Sequence, residues 1–161
     1  MAGPKPTSAA LVALFILSAL AAPAHGLDRF VVQGRVYCDT CRFGFETKAT
    51  TYIAGAKVRV ECRDRATGQL TYGIAGVTDA TGTYRIPVEE ERPDEICEAI
   101  LISSPQPGCT ELEKGRERAS ILLTSNSGIS SPTRYANSLG FIKDTPLPVC
   151  TQLSQLYEIE A

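Results

Sequence analysis

Few residues of this chain have side chains that commonly do chemistry, and their types favour covalent cross-linking over catalysis. The 161-residue sequence contains six cysteines but a single histidine, His25, and no tryptophan. A histidine-activated nucleophile or a histidine-ligated metal would therefore depend on His25 alone. The net charge of −2 lacks the basic excess of dedicated nucleic-acid-binding proteins. We therefore predict neither a nucleic-acid partner nor a histidine-based active site.

The N-terminus has the pattern of a secretory signal peptide. Lys5 precedes a run of small and apolar residues at 9–22, and small residues follow at Ala24 and Gly26. The run of 14 residues is shorter than the roughly 20 that a membrane span needs. We expect residues 1–26 to be removed after Gly26, or alternatively after Ala24. The mature protein should then be exported, without a membrane span, and cleavage after Gly26 would leave it without histidine.

The cysteines are predicted to be structural. Export implies an oxidising compartment, in which six cysteines are expected to form three disulfides, with fifteen possible pairings. Cys38 and Cys41 form a CxxC sequence, but a zinc site would need a second such pair or histidines. A thioredoxin-type site would need the CxxC at the start of a helix, whereas Cys38 ends a strand-like stretch. We therefore predict no metal and no cofactor. The six cysteines are Cys38, Cys41, Cys62, Cys97, Cys109 and Cys150.

The densest acidic cluster, at residues 89–95, is a candidate for a pair of catalytic carboxyl groups. A glycosidase needs two carboxyl groups about 5–10 Å apart across a cleft. Here the acids are nearly consecutive and flank Arg92 and Pro93, which is typical of a solvated loop. The spacing also differs from that of a calcium loop. We therefore predict that the chain is not an enzyme.

Alternation of apolar and polar residues dominates the rest of the chain and indicates β-strands. In residues 57–63, Val58, Val60 and Cys62 share one face, and four charged residues are expected to point outward. Residues 96–102 are apolar on both faces, which predicts a strand buried on both sides. Further strands are expected at residues 32–38, 70–75, 83–88, 119–124 and 139–143.

Helical signal is weak and limited to residues 111–119 and 152–156. Short strands separated by turn residues predict an all-β domain at residues 27–161. We expect a compact antiparallel β-sandwich or barrel of about seven strands, with Greek-key-like connections and three disulfides.

Residues 33–42 carry a resemblance to a known family. The sequence QGRVYCDTCR resembles the signature of the olive major pollen allergen (Ole e I type) family, which is also grouped with extensin-like proteins. Blocks at residues 54–62, 79–84, 125–129 and 147–150 are similar to further blocks of that family, and the similarity is greatest to its grass-pollen branch. The signature residues are Gln33, Gly34, Val36, Tyr37, Cys38, Asp39, Cys41 and Arg42.

The resemblance implies a disulfide pairing and a function. The implied pairs are Cys38–Cys109, Cys41–Cys150 and Cys62–Cys97. The family is plant-secreted, and the implied role of this chain is that of a non-enzymatic interaction or signalling module in pollen hydration, germination or tube growth. The expected partner is a cell-surface receptor kinase or a cell-wall component, and the protein is expected to be monomeric and a potential allergen.

Two further expectations accompany the resemblance. The alternative function is that of a structural, cell-wall-associated (extensin-like) protein, although this chain has no Pro or Tyr repeat. Many family members carry an N-linked glycan. Here Asn126-Ser127-Gly128 and Asn137-Ser138-Leu139 both lack the Ser or Thr required at the third position, so we expect none.

Overall fold

The computed structural model describes residues 30–157, so the predicted signal peptide at residues 1–26 lies outside the described residues. Within that range the chain forms ten strands and one short helix. Every predicted strand is present, which confirms the all-β class. The elements are β1 (Phe30–Asp39), β2 (Thr51–Tyr52), β3 (Lys57–Asp64), β4 (Leu70–Val77), β5 (Thr83–Val88), β6 (Glu95–Ser103), β7 (Glu111–Leu112), β8 (Arg118–Ile121), β9 (Thr133–Tyr135), β10 (Leu139–Ile142) and α1 (Cys150–Leu156).

The first sheet is organised around β1, a strand of ten residues that pairs with four other strands. The first half of β1 pairs with β5 in antiparallel fashion and with β9 in parallel. Its second half pairs with β2 in antiparallel fashion and with β10 in parallel, and β7 extends the sheet beyond β10. The two parallel pairs depart from the purely antiparallel arrangement that the sequence predicted. Parallel neighbours require long connections, and the two parallel partners of β1, β9 and β10, come from the last third of the chain.

The second sheet is entirely antiparallel, in the order β4-β3-β6-β8. Strands β3 and β6 are its centre, and β4 and β8 are its edges. The two sheets bury one face each, and the fully enclosed side chains include Val32 and Val36 from β1 and Val58 and Val60 from β3. Two separate sheets make a sandwich, so the barrel alternative is wrong.

Two local predictions were also wrong. Residues 111–119 form β7, a turn and the start of β8 instead of two helical turns. In β6, Ile96 and Ile102 are 48% and 46% exposed, so only one face of this central strand is covered. Glu61 of β3 lies on the outer face as expected but is only 5% exposed, because Arg59 and Arg63 pair with its two carboxylate oxygens. No helix within residues 30–157 is both long and apolar enough to cross a membrane.

Candidate functional site

The first signature residues act in folding, because they lie in the half of β1 that pairs with β5. The side-chain carbonyl of Gln33 accepts a hydrogen bond of 3.1 Å from Nε of Arg85 in β5. Gly34 lies directly under the phenol of Tyr84, and a Cβ atom there would lie 2.3 Å from the hydroxyl oxygen. Val36 is fully buried in the core. These signature residues therefore allow β5 to lie close to β1.

Tyr37 begins a buried polar network at the other end of β1. Its hydroxyl donates a hydrogen bond of 3.0 Å to Oε2 of Glu113. Glu113 is only 4% exposed, and Asp39 beside it is completely buried. Burial raises the pKa of Glu113 to about 7, although the hydrogen bond from Tyr37 opposes the rise. Burial and the adjacent Glu113 also raise the pKa of Tyr37 well above its usual range.

Asp39 fixes the backbone of the CxxC segment. Its carboxylate accepts hydrogen bonds from the backbone N–H of Cys41 at 3.1 Å and of Gly44 at 2.8 Å. Arg42 follows with a positive φ of 61°, and its Nη1 donates a 2.8 Å bond to the carbonyl of Lys143. The segment is a rigid turn after a strand, which is unlike the helix start that a thioredoxin-type centre needs.

The structure brings the six cysteines together in three pairs. Cys38 is joined to Cys109 and Cys41 to Cys150, so two neighbouring positions at the end of β1 hold two distant segments. Cys62 is joined to Cys97 across the central strands of the second sheet. We call the part held by the first two disulfides the clamped end, defined as residues 40–50, 105–117 and 143–157.

The clamped end carries half-buried aromatic rings and exposed apolar side chains. The rings of Phe43 and Phe45 have centroids 6.0 Å apart, and Tyr157 packs its edge against Phe45 at 5.4 Å. At the two ends of α1, Val149 and Leu156 are 42% and 62% exposed. Apolar side chains clustered on a rigid frame are typical of surfaces that contact other molecules.

The acidic cluster at residues 89–95 is organised around an arginine. Arg92, itself only 15% exposed, pairs with Glu90 and Glu95 at 3.3 and 3.4 Å. The same guanidinium lies 4.3 Å above the ring of Tyr72. The cluster is thus more ordered than the solvated loop that the sequence predicted. Two of its carboxylates share one cation on one side of the loop, whereas a glycosidase places its pair across a cleft.

Three tyrosines at least partly exposed to solvent lie in two kinds of environment. Tyr52 lies under the guanidinium of Arg35 at 3.2 Å, and Tyr72 lies under Arg92. Tyr135 is 74% exposed. It lies on β9, beside the first half of β1, at the opposite end of that strand from the clamped end.

Possible metal ligands are scarce in the described part of the chain. The only grouping within residues 30–157 consists of Cys62, Glu95 and Cys97. The two sulfur atoms are joined to each other, so neither offers the thiolate that a metal would need. The grouping is therefore a consequence of the disulfide.

Comparison with known proteins agrees with this disulfide-braced β-sandwich. The sequence profile of the family described as "Pollen protein Ole e 1 like" matches residues 28–158. "Pollen-specific protein C13" of Zea mays is 51% identical over 152 residues, which cover 93% of this chain and 89% of that protein. "Pollen allergen Phl p 11" of Phleum pratense is 43% identical over 131 residues, covering 81% and 92% respectively.

The fold has a solved counterpart. The crystal structure of the major plantain pollen allergen Pla l 1 superimposes with a TM-score of 0.66 at 35% identity, covering 74% of this chain and 97% of that one. The fold is thus that of a pollen allergen-like β-sandwich. The chain belongs to the Ole e 1-like pollen protein family, which confirms the resemblance seen in the signature, grass-pollen relatives included.

Sequence reasoning missed Glu113, the buried carboxyl group at the centre of the polar network. It stands between Leu112 and Lys114 in a charged segment, which suggested an exposed helix. Its burial depends on Tyr37 and Gly140, which are 76 and 27 positions away, and no local pattern signals those contacts.

Proposed function

We propose that this chain is a secreted, non-enzymatic pollen protein that acts as an interaction or signalling module in pollen hydration, germination or tube growth. Membership of the family supports the pollen association, because relatives are named as pollen-specific proteins and pollen allergens. Secretion is supported by the predicted signal peptide at residues 1–26 and by the absence of free cysteines in the described part of the chain. The allergen names of relatives also support allergenicity.

The observation that carries the proposal is the clamped end. Two disulfides hold three segments rigidly at the end of β1, and these segments present Val149, Leu156 and the Phe43–Phe45–Tyr157 rings. A preordered surface loses little conformational entropy on binding. The proposed partner is a cell-surface receptor kinase or a cell-wall component. A non-enzymatic role fits this site, since the names of these relatives state no enzymatic activity.

A pull-down from pollen-tube membranes tests the proposal. The mature protein should bind saturably, and a variant with Val149→Ser and Leu156→Ser should bind at least tenfold more weakly. Both side chains are exposed, so the fold should tolerate the changes. Tyr135→Ser is the matched control, because it removes an exposed aromatic residue at the other end of β1. Equal binding by all three proteins, or no saturable binding, would refute the proposal.

The cell-wall alternative makes a different prediction. A structural wall protein should resist extraction of pollen walls in low-salt buffer, whereas a signalling module should be released. Retention of most of the protein in the wall fraction would favour the structural function.

A further inference from the structure

A polar cavity of about 370 Å³ opens beside the clamped end. Its walls come from the loop after the CxxC turn, from the turn after β7 and from the segment before β10. Cavities that bind small molecules begin at about 300 Å³, so this one has room for a single sugar ring or a similar group. The residues that line it are Tyr37, Phe45, Glu46, Arg116, Asn137 and Ser138.

Arg116 is held in place by its own backbone and by one side-chain bond. Its N–H donates to the carbonyl of Glu113 at 2.9 Å, and its carbonyl accepts from the N–H of Gly140 at 3.0 Å. The side-chain Nε donates a 3.0 Å bond to the carbonyl of Gly44. Within residues 30–157, Nη1 and Nη2 have no hydrogen-bond or salt-bridge partner, since the one side-chain bond uses Nε. The outer edge of the guanidinium can therefore donate to a ligand. That edge fits a carboxylate in bidentate geometry.

The remaining walls offer groups suited to a hydroxylated ring. The side chains of Asn137 and Ser138 form no hydrogen bonds with other described residues, and Leu139 next to them is fully buried, which fixes their backbone. One carboxylate oxygen of Glu46 accepts a 2.8 Å bond from Tyr52, which leaves the other oxygen for a ligand hydroxyl. Phe45 supplies an apolar ring on the same wall.

We propose that this cavity binds a uronic-acid residue of an acidic saccharide. Arg116 pairs with the carboxylate, and Asn137, Ser138 and Glu46 exchange hydrogen bonds with the hydroxyl groups. Phe45 lies against the apolar C–H groups of the sugar ring. A neutral sugar lacks the partner for Arg116, and a simple organic acid lacks the hydroxyl groups, so both should bind weakly. This site adjoins the partner surface proposed above and shares Phe45 with it, but Val149 and Leu156 do not line the cavity.

The buried network beneath the cavity adds a dependence on pH. Burial raises the pKa of Glu113 to about 7, and the titratable groups around it are Asp39 and the neutral Tyr37 from β1 and Arg116 from its own turn. Glu46 is the other acid at the cavity. Below pH 7 Glu113 is mostly neutral and does not compete with a ligand carboxylate for Arg116. The affinity should therefore fall as the pH rises from 6 to 8, and an increase would contradict the proposed pairing.

Isothermal titration of the disulfide-intact mature protein at pH 6 tests the site with four probes. A galacturonate trimer should bind saturably, whereas its methyl ester, a galactose trimer and succinate should each bind at least tenfold more weakly. Arg116→Gln should lower the affinity for the galacturonate trimer at least tenfold. Arg118→Gln is the control, because Arg118 pairs with Glu98 on the second sheet.

Arg116→Gln loses the hydrogen bond to the carbonyl of Gly44 and could therefore fold incorrectly. A second variant is needed to test the site without that effect. Asn137→Ala removes an exposed side chain without hydrogen bonds in the described region, so its fold should be intact and its affinity for the trimer several-fold lower. The proposal would be overturned if the galacturonate trimer did not bind, or if it bound no more tightly than the galactose trimer. Tight binding of succinate would also overturn it, as would unchanged affinity for the trimer in both Arg116→Gln and Asn137→Ala.

Discussion

Replacing Glu113 with Gln should alter the dependence of folding stability on pH. The change keeps the shape of the side chain and an oxygen that can accept the hydrogen bond from Tyr37. Burial raises the pKa of Glu113 from 4.5 to about 7 in the folded protein. At about 1.4 kcal/mol per pKa unit, this difference corresponds to about 3 kcal/mol.

The direction of the change in folding stability with pH follows from proton binding. Below pH 4.5 Glu113 is protonated in both states and its full contribution is present. As the pH rises towards 7, the unfolded chain loses this proton while the folded chain retains it, so the folded state loses relative stability. Gln has no such proton. The free energy of unfolding of Glu113→Gln minus that of wild type should therefore grow by about 3 kcal/mol between pH 4.5 and 7.

Guanidinium unfolding followed by far-UV circular dichroism, with the disulfides intact, measures this difference at each pH. Glu111→Gln is the control, because Glu111 is an exposed residue of β7 and belongs to the same segment. Its difference from wild type should stay nearly constant over the same range. If the Glu113→Gln difference is equally constant, the reasoning about the buried network is refuted.

Three further predictions concern stability and modification. Gly34→Ala should cost about 1–3 kcal/mol in chemical unfolding because Tyr84 must move, whereas Gly73→Ala, with open space, should cost less. Replacing Cys62 and Cys97 together by Ala should remove up to about 4 kcal/mol, since that disulfide closes a separation of 35 residues. Endoglycosidase treatment should leave the mass unchanged, and a loss of mass would show a glycan that the sequence excludes.

The second sheet was well predicted because its signals are local. In β3, alternating valines and charges identify both the strand and its buried face, and this assignment is confirmed by Val58 and Val60. In β6, composition alone was misleading, because apolar Ile96 and Ile102 lie on an outer face. A single sequence does not show whether a second layer covers that face.

The first sheet was harder to predict because its pairings join distant segments. Strand β9 has three residues and pairs with β1 about a hundred positions away, so no local alternation marks it. The polar network could not be predicted either, because it also joins distant segments. Tyr37 belongs to a recognisable signature, whereas its partner Glu113 does not. The signature located the centre of the fold, but most of its residues proved to act in folding. The cavity around Arg116 lies mainly outside it.

Peptide mapping of the mature protein under non-reducing conditions tests the central claim, that two disulfides at the end of β1 brace a presenting surface. We expect three linked peptide pairs, joining Cys38 to Cys109, Cys41 to Cys150 and Cys62 to Cys97, and a mature chain that starts after Gly26. A different pairing, above all a bond within the CxxC sequence, or free thiols in stoichiometric amount, would contradict it.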